Sequence, residues 1–311
     1  MKNTSILILG AGELGVPVIR HMANKAKNYS GTTVTVLLRE ATINSEDADK
    51  KKIIAELREL GVNLLAGDLS ASSSELVAIF KNYDAVVSCT GYGSGAGGFQ
   101  LKLANAVLDA GVKRYFPWQF GVDFEVIGRG SAQDLFDEQL DVRELLRSQN
   151  ATNWVIISTG MFTSYLFEPF FGLLDMEKKS FNAIGGWDTA VTVTTPEDIG
   201  KLTAEIFFAE PAIENEIVYI GGDTITYGQL VDIAESLSGQ KYDRTLSDMT
   251  EIQQDLKDDP TNFVKKYRSI FGAGRGVSWP LEVTYNFKHG IEMISAAQWA
   301  KDNIDWDSFN K

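Results

Sequence analysis

The chain has 311 residues, is 44% hydrophobic and carries a net charge of -13. That is enough for one well-buried α/β domain plus a smaller lobe, and the acidity excludes the basic surface that nucleic acids or anionic membranes require. One cysteine, Cys89, and two distant histidines, His21 and His289, leave no internal disulfide and no zinc cluster.

The chain runs directly into an apolar strand with no signal-peptide pattern. No apolar stretch reaches about 18 residues, so a cytoplasmic protein is expected. The strand, residues 6–9, breaks into Gly10-Ala11-Gly12-Glu13-Leu14-Gly15, the spacing G-x-G-x-x-G. In a dinucleotide fold the first glycine makes a sharp turn, the second lets a pyrophosphate approach the backbone and the third lets the next helix pack closely. Such a motif alone is weak, but here it follows a strand and opens a helix with Leu14, Val18, Ile19 and Met22 on one face. Pro17 is an objection, since past the first turn it would remove a helical hydrogen bond.

Further strands are expected at 33–38, 62–65, 84–88, 112–116 and 154–158, separated by helices at 53–60, 72–80, 99–110 and 132–147. Strictly alternating strands and helices imply parallel neighbours with right-handed crossovers. The fold class is therefore α/β, a doubly wound parallel Rossmann sheet over residues 1–160, with a smaller mixed α/β substrate lobe over 161–311 whose elements partly interleave with the sheet. In that second half, 191–194 and 217–220 read as strands, 196–208 and 227–237 as helices, and the chain beyond Lys241 as mostly helical.

The end of the second strand selects the cofactor. An NAD enzyme usually places Asp or Glu there, whereas Arg39 can clamp a 2'-phosphate and stack on adenine. NADP(H) is the inference, with Glu40 keeping NAD open. Lys50 is a candidate second cation, within the run Lys50-Lys51-Lys52. Asp68 and Leu69, after the third strand, are candidates for the adenine end, although Asp68 could equally cap the next helix. Thr90 and Gly91, opening a glycine run to Gly98, and Pro117 complete the candidate cofactor set with Gly10, Gly12, Glu13, Leu14 and Gly15.

These motifs, and above all residues 112–121 with Pro117-Trp118-Gln119-Phe120-Gly121, resemble the NmrA-like branch of the atypical short-chain dehydrogenases. Within it the likeness is to isoflavone reductases and phenylcoumaran benzylic ether reductases. Thr195-Pro196-Glu197-Asp198-Ile199-Gly200 and Gly221-Gly222-Asp223 fit the same family, and the likeness thins after Lys241. The resemblance implies an NADP-binding Rossmann lobe and a small lobe over an aromatic substrate. Two departures stand out. The plant reductases carry Ser-Glu-Phe-Gly at 118–121, and a catalytic lysine at the position that aligns with Gln139. No Tyr-x-x-x-Lys is present either. Gln139, the candidate catalytic residue, can hydrogen-bond but cannot act as an acid or base.

The function expected is an NADPH-dependent reductase of a small aromatic, quinone or enone substrate. Its acid is either dispensable or drawn from His289, Tyr165 or Tyr267. The alternative is a catalytically silent NADP(H)-sensing regulator of the NmrA type, acting through a protein partner. Candidate substrate contacts are Trp118, Phe120, Met161, Phe162 and Tyr165, which follow the fifth and sixth strands. Phe167, Phe170 and Phe171 read as core or as a homodimer contact. Asp134, Asp137, Glu138 and Asp141 read as a solvated acidic face, and Cys89 as a small buried residue.

Overall fold

Buried strands order this chain. A computed structural model describes residues 3–91 and 97–306. In it β1 (Ser5–Leu9) has Ile6, Leu7, Ile8 and Leu9 fully buried, as expected of a strand covered on both faces. β2 (Thr33–Leu38), β3 (Asn63–Ala66), β4 (Ala85–Ser88), β5 (Arg114–Phe116), β6 (Asn153–Ser158) and β7 (Glu216–Tyr219) join it in one sheet of order β7-β6-β5-β4-β1-β2-β3. The pairs from β3 through β6 are all parallel. Strand order reverses between β1 and β4, so the switch point of the doubly wound sheet lies beside the glycine loop.

The described chain divides into two compact units. The first comprises residues 1–120, 138–157 and 196–218; the second comprises 121–137, 158–195 and 219–311. The chain therefore crosses between units several times. The helix Pro196–Phe207 and most of β7, which lie late in the sequence, belong to the first unit.

Within the first unit, Pro196–Phe207 packs on the first helix, Gly15–Ala26. A Cβ on Gly200 would stand 2.5 Å from the Pro17 carbonyl carbon, which explains a glycine in that motif. Glu197 accepts from Arg20 at 2.7 Å and lies 2.7 Å from His21 Nε2, so His21 has a structural partner. The helix begins at Gly15, which puts Pro17 inside the first turn. The N–H groups of its neighbours Val16 and Val18 donate to the carbonyls of Gly12 (3.0 Å) and Leu14 (3.3 Å), so its missing N–H leaves one bond out of that series, as the sequence suggests. Arg114, buried in β5, donates to the carbonyls of Phe207 (2.5 Å) and Ile213 (3.0 Å) and lies over the Phe116 and Phe207 rings.

The second unit carries two three-stranded sheets. One contains Met161–Phe162, Ala190–Thr194 and Asp223–Thr226; the other contains Leu174–Asp175, Ser180–Ile184 and Asp243–Ser247. Beyond Lys241 the regular structure is mostly helical, as expected, except for the strand Asp243–Ser247, which the sequence reading did not include. Its parallel pairing with Ser180–Ile184 supplies the strand's hydrogen bonds, although its own side chains are mostly exposed. The helices Met249–Asp258, Phe263–Ala273 and Ala296–Asn303 follow. Among the described residues no helix is long and apolar enough to cross a membrane, and no His/Cys/Asp/Glu group could hold a metal.

Candidate functional site

The glycine loop assigns a different physical task to each glycine. Gly10 adopts φ +91°, a backbone conformation that L side chains rarely adopt. A Cβ on Gly15 would lie 2.5 Å from the Gly10 carbonyl oxygen, so helix and strand meet where only glycine fits. Gly12 is exposed and a Cβ there would meet nothing within 4 Å. The loop thus offers an open backbone face at Gly12, next to Glu13 and the buried Leu14. No side chain caps the helix start, leaving its positive end for an anion.

At the next strand ends, Arg39 directly follows β2 and is exposed. Asp68 lies near it. The Asp68 carboxyl is held below its usual range chiefly by hydrogen bonds from Ser70, with Arg39 and Lys102 adding favourable charge. Asp68 does not cap the following helix, because Ser72 and Glu75 form a reciprocal capping box there. Its oxygen instead accepts from the Ser70 N–H at 2.8 Å, within its own turn. Leu69 is half-buried, and its carbonyl accepts from Lys102. Lys102 was not singled out by the sequence, since nothing local distinguishes it from other helix lysines. Lys50 is exposed on the first turn of Ala48–Glu59, where its backbone N–H donates to Asp47. Lys51 instead pairs with Glu46.

Beyond β4, Thr90 Oγ1 and the Gly91 carbonyl both accept from the Gln100 side chain, at 3.1 and 3.2 Å. Residues 92–96 of the glycine run lie outside the described residues. Cys89 is buried and unpaired by any disulfide. Burial drives its thiol pKa well up, the opposite of an activated nucleophile.

β5 delivers Pro117, Trp118, Gln119 and Phe120 at its carboxyl end. Pro117 and Gln119 are buried, whereas Trp118 and Phe120 are half-exposed. Gln119 Nε2 donates to the Gln139 backbone carbonyl at 2.8 Å, and Arg143 Nε donates to Gln119 Oε1 at 2.7 Å. Gln119, Gln139 and Arg143 are each 1% exposed. The Gln139 side chain has no hydrogen-bond partner at either its oxygen or its nitrogen, and an unmet buried polar group costs about 1–3 kcal/mol. Arg143 is absent from any sequence expectation, because a charged residue in the pattern of Leu135–Arg147 reads as exposed.

The solvated acidic face expected there is corrected at Glu138, whereas Asp134 is exposed as expected. Glu138 is half-buried and accepts from the backbone N–H groups of Gln100 and Leu101 at 2.6 and 3.0 Å, capping Phe99–Asp109. In the second unit Asp137 accepts from the Gly130 N–H, and Asp134 pairs with Lys266.

Also in the second unit, Met161 is buried, while Phe162 and Tyr165 are half-exposed with ring centroids 5.5 Å apart. Tyr165 meets Phe170 edge-on at 5.4 Å. Phe167 and Phe171 are core, but Phe170 is 46% exposed. His289 is exposed and stacked on Tyr285 at 3.9 Å, and Tyr267 is stacked with Phe271.

A doubly wound parallel sheet with this glycine loop at its switch point defines a Rossmann-type α/β protein. The chain belongs to the NmrA-like family, whose model matches residues 2–274, well past the point where the likeness in motifs thins. An NmrA-like family domain-containing oxidoreductase of Gibberella moniliformis is 46% identical over 301 residues, covering 96% of this chain and 98% of that one. Phenylcoumaran benzylic ether reductase Betv6 of Betula pendula is 26% identical over 295 residues, covering 91% of each. Among solved structures, an isoflavone reductase gives a TM-score of 0.80 at 20% identity, covering 98% of this chain and 100% of that one. A structure described as AtPrR2 with NADP+ and (+)pinoresinol gives 0.78 at 23% identity, with the same coverage.

Proposed function

We propose that this protein is an NADPH-dependent reductase of a small aromatic, quinone or enone substrate. The observation that carries the reading is the pairing of an open glycine loop with an arginine at the end of β2. The exposed, unobstructed Gly12 fits a pyrophosphate, and the exposed Arg39 fits a 2'-phosphate better than a bare ribose. The reductase names among the relatives, and the NADP+ in one related structure, support the same reading.

In this reading Gly10, Gly12, Glu13, Leu14 and Gly15 hold the pyrophosphate, Arg39 and Lys50 the 2'-phosphate, and Asp68 and Leu69 the adenosine end. Thr90, Gly91 and Pro117 border the nicotinamide side. Bound NADPH would supply a hydride. In the first unit Trp118 and Phe120 are the side chains offered to a flat substrate, with Gln139 as hydrogen-bonding group; in the second, Met161, Phe162 and Tyr165. A quinone or enone suits a site built on glutamine, because its reduction leaves a stabilised oxyanion that water can protonate.

The test is a screen for NADPH oxidation against quinones, enones and aromatic aldehydes. Turnover of at least one, with NADPH preferred over NADH, is the expected result. Tight NADP(H) binding with no turnover overturns the reductase in favour of a redox sensor acting through a protein partner.

A further inference from the structure

The buried trio in the first unit has a fixed direction. An arginine Nε–H can only donate, so the group it meets on Gln119 must be the amide oxygen. The Gln119 nitrogen is then committed to donation, and it donates to the Gln139 backbone carbonyl. Arg143 lies one turn beyond Gln139 on the same helix face. The segment leaving β5 is thereby latched to the helix at position 139. This latch uses the main chain of Gln139 and leaves both polar atoms of its side chain unpartnered and enclosed. Gln119 sits between the half-exposed Trp118 and Phe120 at the carboxyl end of a central strand, where open α/β sheets bind ligands.

We propose that Arg143 is a positioning residue which, through Gln119, holds the Gln139 amide as a preformed neutral site for the carbonyl or hydroxyl oxygen of an aromatic ligand. This rests on the reductase reading for the class of ligand but not for the latch. A neutral amide both donates and accepts, so it serves a carbonyl or an un-ionised hydroxyl and has no charge to offer a carboxylate. The helix would also close such a site without a titrating group, unlike the lysine of the plant enzymes.

The test is side-chain amide NMR on the whole protein, alone and with NADP+, titrated with 4-hydroxyacetophenone and, as a control that has no hydroxyl, benzoate. The Gln139 amide signals should shift with the ketone and not with the carboxylate. Arg143→Met should weaken ketone binding about tenfold, the equivalent of one lost hydrogen bond of about 1.4 kcal/mol. Arg143→Lys, which keeps a donor, should recover part of that loss. If Arg143→Met does not fold, Gln119→Glu carries the test: it still accepts from Arg143 but turns an acceptor towards the Gln139 carbonyl, and should weaken binding similarly.

Unmoved Gln139 signals, a slow-exchanging internal water bound to them in the presence of the ketone, or unchanged affinity in the folded variants overturns the proposal. So does failure of the ketone to bind. If NADPH is oxidised in the substrate screen while Gln139 stays silent, the inference fails and the reductase stands. If NADP+ does not bind but the ketone shifts Gln139, the reductase fails and the latch survives.

Discussion

A Cβ placed on Gly15 would stand 2.5 Å from the carbonyl oxygen of Gly10, whereas one placed on Gly12, between them, would touch nothing within 4 Å. The motif therefore splits into a packing glycine and an access glycine. Gly15→Ala is expected to destabilise the fold by about 1–3 kcal/mol through overpacking, read as a lower urea midpoint. Gly12→Ala should leave the midpoint nearly unchanged and weaken NADPH binding, because its methyl group would project into the open face. Equal effects of both on stability would refute this division.

Ser70 chiefly holds the Asp68 carboxyl low, and Arg39 and Lys102 both add favourable charge there, yet the tasks of these two cations differ. Arg39 is exposed, while Lys102 donates to the carbonyls of Leu69 (3.0 Å) and Ala71 (3.1 Å). Arg39→Ala should weaken NADPH binding about tenfold or more and NADH binding far less, since only the former carries the extra phosphate. Lys102→Met removes a tether on the 69–71 turn and should weaken both cofactors alike. Calorimetric titration of each variant with both cofactors checks the pair. Equal loss in Arg39→Ala removes the 2'-phosphate assignment.

The glycine loop, the six first strands and their parallel order were legible because each rests on local pattern: apolar β-branched runs, glycines at fixed spacing, alternating helices. What the sequence hid depends on distant partners. Asp243–Ser247 is a strand because Ser180–Ile184 pairs with it, and no local periodicity announces that. Glu138 looks like one of four surface acids, but a helix start 38 residues earlier in the chain occupies its carboxylate. Arg143 looks solvated until Gln119 is brought to it by β5. At Asp68 the competing reading failed because Ser72 had already filled the cap.

Cys89 directly follows β4 with its thiol buried, and burial raises its pKa. The sign follows directly: a raised pKa keeps the neutral thiol as pH rises, so the native protein should resist iodoacetamide equally at pH 7 and at about pH 9, where a free cysteine of pKa about 8.5 is largely thiolate. Full labelling should appear only in denaturant. Rapid native labelling that accelerates with pH would contradict the buried assignment.

Glu138 places a negative oxygen on two backbone N–H groups at the start of Phe99–Asp109, whose N-terminal residue Gly98 has no side chain to cap it. The same first turn holds Gln100, whose side chain binds Thr90 and Gly91 at the end of β4. Glu138→Ala should therefore have two effects. Loss of the cap should lower stability by about 1 kcal/mol, measured by urea unfolding. Loosening of Gln100 should weaken NADP+ and NAD+ binding to the same degree, because Thr90 and Gly91 lie far along the chain from the Arg39 end. Glu138→Gln keeps an acceptor and should recover most of the stability, leaving only the part due to charge at the helix end. A cofactor effect confined to NADP+ would mean that Glu138 acts on the 2'-phosphate end rather than through Gln100.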